Sequence, residues 1–270
     1  MCIIIAEAGE NHCGNMEYCK QLIQLSKNAG CDYVKFQYYD ASRTSLDDPE
    51  RDWFFKVQLN EEKLKTLINE SNRVGIKFLC TPWERSNAEI LNKLNVKDMK
   101  IASFHITDYD LIEYVNKYFN RVFLSTGMSS IDEIERAVAK LDKVDLYLLH
   151  CVSEYPLAAG RVNLKVMDFL HDTFQCRVGY SDHTIGILAP LAAAARGAAV
   201  IEKHITLNHA FEGTDHVLSA DPAELKLMVE QIRSTVRMLG DGKKRLTAKE
   251  KENQNFLRNR FAHHSIREIS

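Results

Sequence analysis

Eight times along 270 residues a short β-rich apolar run is followed by a helical stretch, and the polar residues gather at the same end of each run. The runs start at Ile3, Tyr33, Ile76, Met99, Val122, Leu146, Val178 and Val200. In order they lead into Glu7 with Glu10, Asn11 and His12; Lys35 and Gln37; Thr81-Pro82; and Lys100 with Ser103. Ser125-Thr126-Gly127, His150-Cys151, Ser181-Asp182-His183-Thr184 and Glu202-Lys203-His204 follow. Strict strand–helix alternation calls for an all-parallel sheet. An open doubly wound sheet would also alternate, but no G-x-G-x-x-G follows the first run, and site-like residues on all eight strands favour closure. The expected fold is α/β, a (β/α)8 TIM barrel, with the chemistry at the C-terminal ends of the strands.

The intervening segments carry helix signals. Glu17–Ala29 and Glu61–Val74 place apolar residues at helical spacing and stop at Gly30 and Gly75, residues suited to the left-handed cap. Helices are also expected over 86–94, 109–118, 131–141, 162–171, 185–196 and 222–239, the last opening with Pro222 in the first helical position. Residues 1–240 are assigned to the barrel and 241–270 to a helical C-terminal extension that includes Phe256, Leu257, Phe261 and Ile266. Residues 40–60 are long for a strand–helix connection and carry Trp53, Phe54 and Phe55. Such connections are usually lids or binding loops, although packing against outer helices is an equal alternative for these rings.

A net charge of −2 gives no field that would attract nucleic acid or an anionic membrane. Seven cysteines with no C-x-x-C pair fit reduced thiols and a cytoplasmic location. The longest apolar stretch, 187–201, contains Pro190 and Arg196 and is too short to span a bilayer.

His183 and His204 end neighbouring strands, so two neutral imidazoles can converge on a divalent ion such as Mn²⁺, Zn²⁺ or Fe²⁺. The alternative is that each ring only hydrogen-bonds across the strand ends. Lys35 and Lys100 lie in apolar strand sequence, where a charge is costly unless paired. At a barrel mouth they suit a phosphate and a carboxylate, with Thr81, Ser103, Ser125 and Ser181 donating to the same anion. Pairing with Glu7 or Glu202 is the structural alternative, and it accounts for one lysine more easily than for two. Glu7, Gln37, Tyr155 and Asp215 complete the ring as acid/base or hydroxyl-binding groups. Asn11-His12-Cys13-Gly14 reads as a tight turn.

Taken in series, the motifs resemble the N-acetylneuraminate synthase family, the sialic acid synthases and related nonulosonic acid synthases. The segments carrying the likeness are Ile5-Ala6-Glu7-Ala8-Gly9-Glu10-Asn11-His12, Val34-Lys35-Phe36-Gln37, Cys80-Thr81-Pro82 and Lys100-Ile101-Ala102-Ser103. Leu124-Ser125-Thr126-Gly127-Met128, Leu149-His150-Cys151, Tyr155-Pro156, Gly179-Tyr180-Ser181-Asp182-His183-Thr184, Glu202-Lys203-His204 and Asp215-His216 continue it.

The resemblance implies a metal-dependent condensation of phosphoenolpyruvate with an open-chain N-acyl amino sugar, N-acetylmannosamine or a bacterial diacetamido-dideoxyhexose. The product would be a nine-carbon 2-keto sugar acid, with phosphate released. It implies that His183 and His204 hold a divalent metal, Mn²⁺ first, with Mg²⁺ or Co²⁺ as alternatives. Lys35, Thr81, Lys100, Ser103, Ser125 and Ser181 would grip phosphoenolpyruvate, while Glu7, Gln37, Tyr155 and Asp215 would orient the sugar. Glu7 and Asp215 are then the proton-transfer candidates, and Glu202 the candidate for deprotonating water.

Two departures qualify the likeness. Ser153 stands where many sialic acid synthases have asparagine, as in the legionaminate, pseudaminate and spore-coat relatives; it can still donate to phosphate with a shorter reach. The family usually continues into an antifreeze-like domain that caps the partner subunit of a homodimer, whereas this sequence stops near that linker. A separate cap-domain protein, an uncapped enzyme and truncation are the expectations that follow. Two other readings stand beside the synthase: an aldolase or lyase that needs no phosphoenolpyruvate, using the metal or a Schiff base on Lys35 or Lys100, and a non-catalytic regulatory paralogue.

Overall fold

The β-branched and aromatic runs become eight parallel strands in a computed structural model that describes residues 2–260. The order is β1 (Ile3–Gly9), α1 (Met16–Ala29), β2 (Tyr33–Tyr38), α2 (Arg51–Val57), α3 (Glu61–Val74), β3 (Lys77–Pro82), α4 (Arg85–Lys93) and β4 (Asp98–Ile101). It continues with α5 (Tyr109–Tyr118), β5 (Arg121–Ser125), α6 (Ile131–Ala139), β6 (Asp145–His150), α7 (Val166–Phe174), β7 (Arg177–Asp182), α8 (Leu188–Ala195), β8 (Val200–His204) and α9 (Pro222–Leu239). Ladder hydrogen bonds run β3-β2-β1-β8-β7-β6-β5-β4. β3 and β4 then come side by side, so the sheet forms a nearly closed (β/α)8 barrel.

Helix boundaries follow local chemistry. α1 and α3 end where Gly30 and Gly75 take positive φ and return their N–H groups to the last turn. α6 starts with a capping box between Ser130 and Glu133. Two helices begin later than the periodicity suggests. Asn163 lies at φ 48° and Gly186 at φ 80°, conformations through which a right-handed helix cannot run, so α7 starts at Val166 and α8 at Leu188. The inward faces of the helices bury residues such as Leu22, Ile23, Leu64 and Leu67 against the outside of the sheet. Each such side chain stabilises the fold by about 1.5–3 kcal/mol.

The two-residue period of the strands decides what faces inward. Ile5, Tyr33, Leu79, Phe123, Leu149 and Val200 pack together inside the barrel. Two residues further along the same strands come Glu7, Lys35, Thr81, Ser125, Cys151 and Glu202, all buried. The dry layer is therefore the base on which the polar layer stands. The opposite end is closed by paired charges: the Tyr33 hydroxyl donates to Asp98 at 2.6 Å, while Arg121 and Arg177 both pair with Asp145.

The connection over 40–60 contains α2. Phe54 and Val57 are buried there with Tyr39 and Ala41, and Trp53 and Trp83 pack against them. The chain divides into two compact units, up to Arg237 and from Met238 onward. The second contains α10 (Ala248–Asn259), opened by a Thr247–Glu250 capping box. The sequence reading of the extension also covers 261–270, with Phe261 and Ile266, which lie outside the described residues. Among the described residues no helix is long and apolar enough to cross a membrane.

Candidate active site

At the C-terminal ends of the strands a cavity of about 540 Å³ brings together every side chain that the sequence marks as a site residue. Its floor holds two lysines and two glutamates. Lys35 Nζ lies 3.3 Å from Glu7 Oε2, 3.2 Å from Glu202 Oε2 and 3.4 Å from Thr81 Oγ1. Lys100 Nζ is 3.8 Å from Glu202 Oε1, to which Ser181 also donates at 2.9 Å. Gln37 donates to Glu7 Oε1 at 3.2 Å. Acid pairing thus reaches both lysines, where the sequence alone made it comfortable for one.

The pairing is incomplete in geometry. Glu7 Oε2 and Glu202 Oε2 are within ion-pair distance of Lys35 but not aligned for a hydrogen bond, and the buried Ser125 hydroxyl has no partner. Buried polar atoms are normally satisfied, so each exception asks for an explanation. The two carboxyls diverge sharply in acidity. Burial pushes Glu7 up to about 7 against the pull of Lys35. Glu202 is equally buried, yet the ammonium groups of Lys100 and Lys35 outweigh that and bring it down to about 2.

His183 and His204 stand above this floor with ring centroids 5.7 Å apart. His183 Nδ1 lies 2.7 Å from the Val152 carbonyl, and donating to it leaves Nε2 with a free lone pair. His204 Nδ1 is buried without a hydrogen-bond partner, 3.4 Å from Asp215 Oδ2. Burial keeps both rings neutral: His183 is lowered to about 4, helped by His204, and His204 to about 3, helped by Lys35. Two neutral, inward-facing imidazoles with an orphaned nitrogen and a neighbouring carboxylate suit a divalent cation.

A second group with ligand-like spacing, His209, Asp221 and Glu224, lies outside the cavity. Its carboxylates already cap α9: Asp221 accepts from the Ala223 and Glu224 N–H groups, and Glu224 accepts from the Asp221 N–H. A larger groove of about 1020 Å³ at the other strand ends is lined by Asp145 and Arg177, which pair with each other.

The walls come from loops. Tyr155 stacks on His183 at 4.0 Å between centroids. Phe54, Trp83 and Phe104 form an aromatic side, and the Trp83 indole donates to Gln37 Oε1 at 3.1 Å. Ser103, Cys151 and Ser153 meet over Gly127, where a Cβ would lie 2.5 Å from Ser153 Oγ and 2.9 Å from Ser103 Oγ; only glycine leaves that cradle open. Asn11 ties the first loop to the last by donating to the Ile205 carbonyl and to Ser219 Oγ, both at 2.8 Å. Burial raises the thiols of Cys13 and Cys80, so neither is held as a thiolate.

Sequence reasoning assigned no role to several lining residues. Glu50, Trp83, Phe104 and Thr214 reach the cavity from loops, and no periodicity marks such positions. Glu10 was visible beside Gly9 in the first motif, but its place in the wall depends on Tyr39 and Trp53, which hold it.

With this geometry in place, known proteins supply a consistent comparison. The model of the NeuB family matches residues 22–244. An N,N'-diacetyllegionaminic acid synthase of Campylobacter jejuni is 39% identical over 276 residues, covering 95% of this chain and 83% of that protein. A human N-acetylneuraminate-9-phosphate synthase is 32% identical over 262 residues, covering 91% and 73%. The solved structure of a sialic acid synthetase from Leptospira borgpetersenii superposes with a TM-score of 0.90 at 33% identity, covering 97% of this chain and 93% of that one. The chain belongs to the NeuB family, enzymes that form carbon–carbon bonds in making sialic and related nonulosonic acids.

Proposed function

We propose that this chain condenses phosphoenolpyruvate with the aldehyde of an N-acyl amino sugar, giving a nine-carbon 2-keto sugar acid and phosphate. The observation that carries this reading is the shared cavity: Lys35 and Lys100 lie beneath His183 and His204, among carboxylate, hydroxyl and imidazole atoms that have no aligned partner. Such a site suits an anion beside a cation.

Phosphoenolpyruvate lies on the floor, with its charge met by Lys35 and Lys100 and its oxygens by Thr81, Ser103, Ser125, Ser153 and Ser181. His183 and His204 hold a divalent cation, Mn²⁺ first, which supplies Lewis-acid polarisation of the aldehyde oxygen. Gln37, Tyr155 and Asp215 orient the sugar over the enol carbon. That carbon forms the new C–C bond with the aldehyde carbon, and the aldehyde oxygen takes up a proton to become a hydroxyl. Glu7, with an acidity near neutral, is matched to deliver that proton. Water then adds at C2, giving one proton to the Glu7 carboxylate that the first step left behind. Cleavage of the C2–O bond expels phosphate towards the lysines, and the remaining hydroxyl proton leaves with it, giving the ketone. Glu202, held as an anion between two ammonium groups, keeps both lysines in place and is a poor proton acceptor.

The ion pairs weigh against Lys35 as a Schiff-base nucleophile, because two carboxylates hold it protonated against the pull of burial; Lys100, lowered by burial, is the lysine on which the aldolase reading rests. A phosphate-release assay with Mn²⁺ and a panel of 2-acetamido sugars tests the proposal. Release is expected only with both substrates present. Loss of activity on borohydride treatment with pyruvate alone would favour the aldolase.

A further inference from the structure

The floor of the cavity is formally neutral, with Lys35 and Lys100 set against Glu7 and Glu202. The mouth is not. Glu10, Glu50 and Asp215 line it, and among the described residues Lys35 and Lys100 are the only lysine or arginine side chains facing the cavity. Glu10 is held still: the Tyr39 hydroxyl donates to Oε1 and the Trp53 indole to Oε2, each at 2.8 Å. Each oxygen keeps acceptor capacity after receiving one neutral donor.

As a mere peg for Trp53 and Tyr39, a carboxylate is a poor choice. Burial raises its pKa to about 7 even with those two donors, and Asp215 and Glu50 add to the rise. A glutamine could accept both bonds without the charge. The cavity also carries independent marks of a ligand in Glu7 Oε2 and Glu202 Oε2, fully buried and unaligned with any donor.

We propose that Glu10 is a specificity-determining residue, selecting amino sugars that carry a protonated nitrogen at C4 instead of an N-acyl group there. An acyl group would present a carbonyl oxygen to the Glu10 and Glu50 carboxylates, whereas an ammonium presents three donors and a compensating charge. The inference rests on the synthase reading and narrows its sugar.

The test compares kcat/KM, read as phosphate release with phosphoenolpyruvate and Mn²⁺, for two probes. One is a 2-acetamido-4-amino-2,4,6-trideoxyhexose of manno configuration, and the other is its 4-acetamido counterpart. The wild-type protein is expected to favour the amine at least tenfold. Glu10→Gln should bring the ratio close to one, chiefly by raising KM for the amine. Thermal unfolding measured alongside separates this from a structural role, since loss of a peg would lower both activities together and leave the ratio unchanged. Wild-type preference for the acetamido sugar, or an unchanged ratio in Glu10→Gln, overturns the inference while leaving the synthase standing. Absence of phosphate release with every sugar overturns the synthase reading itself, and this one with it.

Discussion

Lys203 and Lys35 are both fully buried lysines at the same end of the barrel, yet their surroundings are opposites. Lys203 donates to Asp182 at 2.6 Å and to the Thr184 carbonyl. Asp182 also accepts from the Tyr180 hydroxyl at 2.9 Å and from the backbone and hydroxyl of Thr184, each at 3.1 Å. That network is sealed. Lys35, by contrast, has two carboxylates at longer range, each with an unaligned oxygen. Strand parity makes the division: Glu202 and His204 face the cavity, and Lys203 between them turns to the helix layer. The sealed pair bonds β7 to β8 and so fixes the frame from which His183, Glu202 and His204 project. A completed buried network serves as scaffold, and an incomplete one beside it is kept ready for a ligand.

The largest effect should come from unsealing the first network. Lys203→Met strands Asp182 in an apolar layer and is expected to cost about 3–5 kcal/mol in urea unfolding, little of it recovered by adding Asp182→Leu, which leaves the Tyr180 hydroxyl and the Thr184 N–H and hydroxyl without their acceptor. A loss below about 1 kcal/mol would erase the distinction between the two lysines. Glu7→Gln should show the reverse profile: kcat lower by about 10²–10⁴-fold in the phosphate assay, with stability unchanged or improved because the burial cost of the carboxylate and its repulsion by Glu202 are removed together with its attraction to Lys35.

Completing the open network should stabilise it. Mn²⁺ at about one hundred times its dissociation constant is expected to add about 2.7 kcal/mol to unfolding, an increment that His204→Gln abolishes. The smallest effect is on pH dependence. His12, His183 and His204 are lowered from 6.5 to about 4, 4 and 3, so they contribute stability above pH 6.5 that is lost as pH falls towards those values. Glu7 is raised from 4.5 to about 7, so its contribution is present below pH 4.5 and lost as pH rises through 7. The two slopes oppose each other between pH 4.5 and 6.5. Glu7→Gln removes one, and the rise of unfolding free energy with pH should steepen there by up to about 1.4 kcal/mol per unit. An unaltered slope would place Glu7 among ordinary carboxylates.

The barrel was legible from the chain because its signals are local. The alternation of eight apolar runs with helices, the stops at Gly30 and Gly75 and the proline at the start of α9 are each readable within a few residues. The site was legible for a related reason: parallel strands place their last inward residues at one face, so Glu7, Lys35, Thr81, Lys100, Ser125, Ser181, Glu202 and His204 follow from parity once the barrel is assumed. The late starts of α7 and α8 were less visible, since they turn on the φ angles of Asn163 and Gly186.

Only the folded chain decided how these charges interact. Residue types say nothing of whether a lysine meets one carboxylate or two, or whether those carboxylates are aligned to accept its protons. Nor do they tell which of two glutamates is acidic: burial dominates at Glu7 and raises it, whereas at Glu202 the ammonium groups of Lys100 and Lys35 together outweigh burial and lower it. Pattern along a chain determines which face a side chain joins, because strand and helix periods are short. Charge, acidity and the pairing of Glu10 with Tyr39 and Trp53 depend on distances between segments far apart in sequence, and those are set only when the barrel closes.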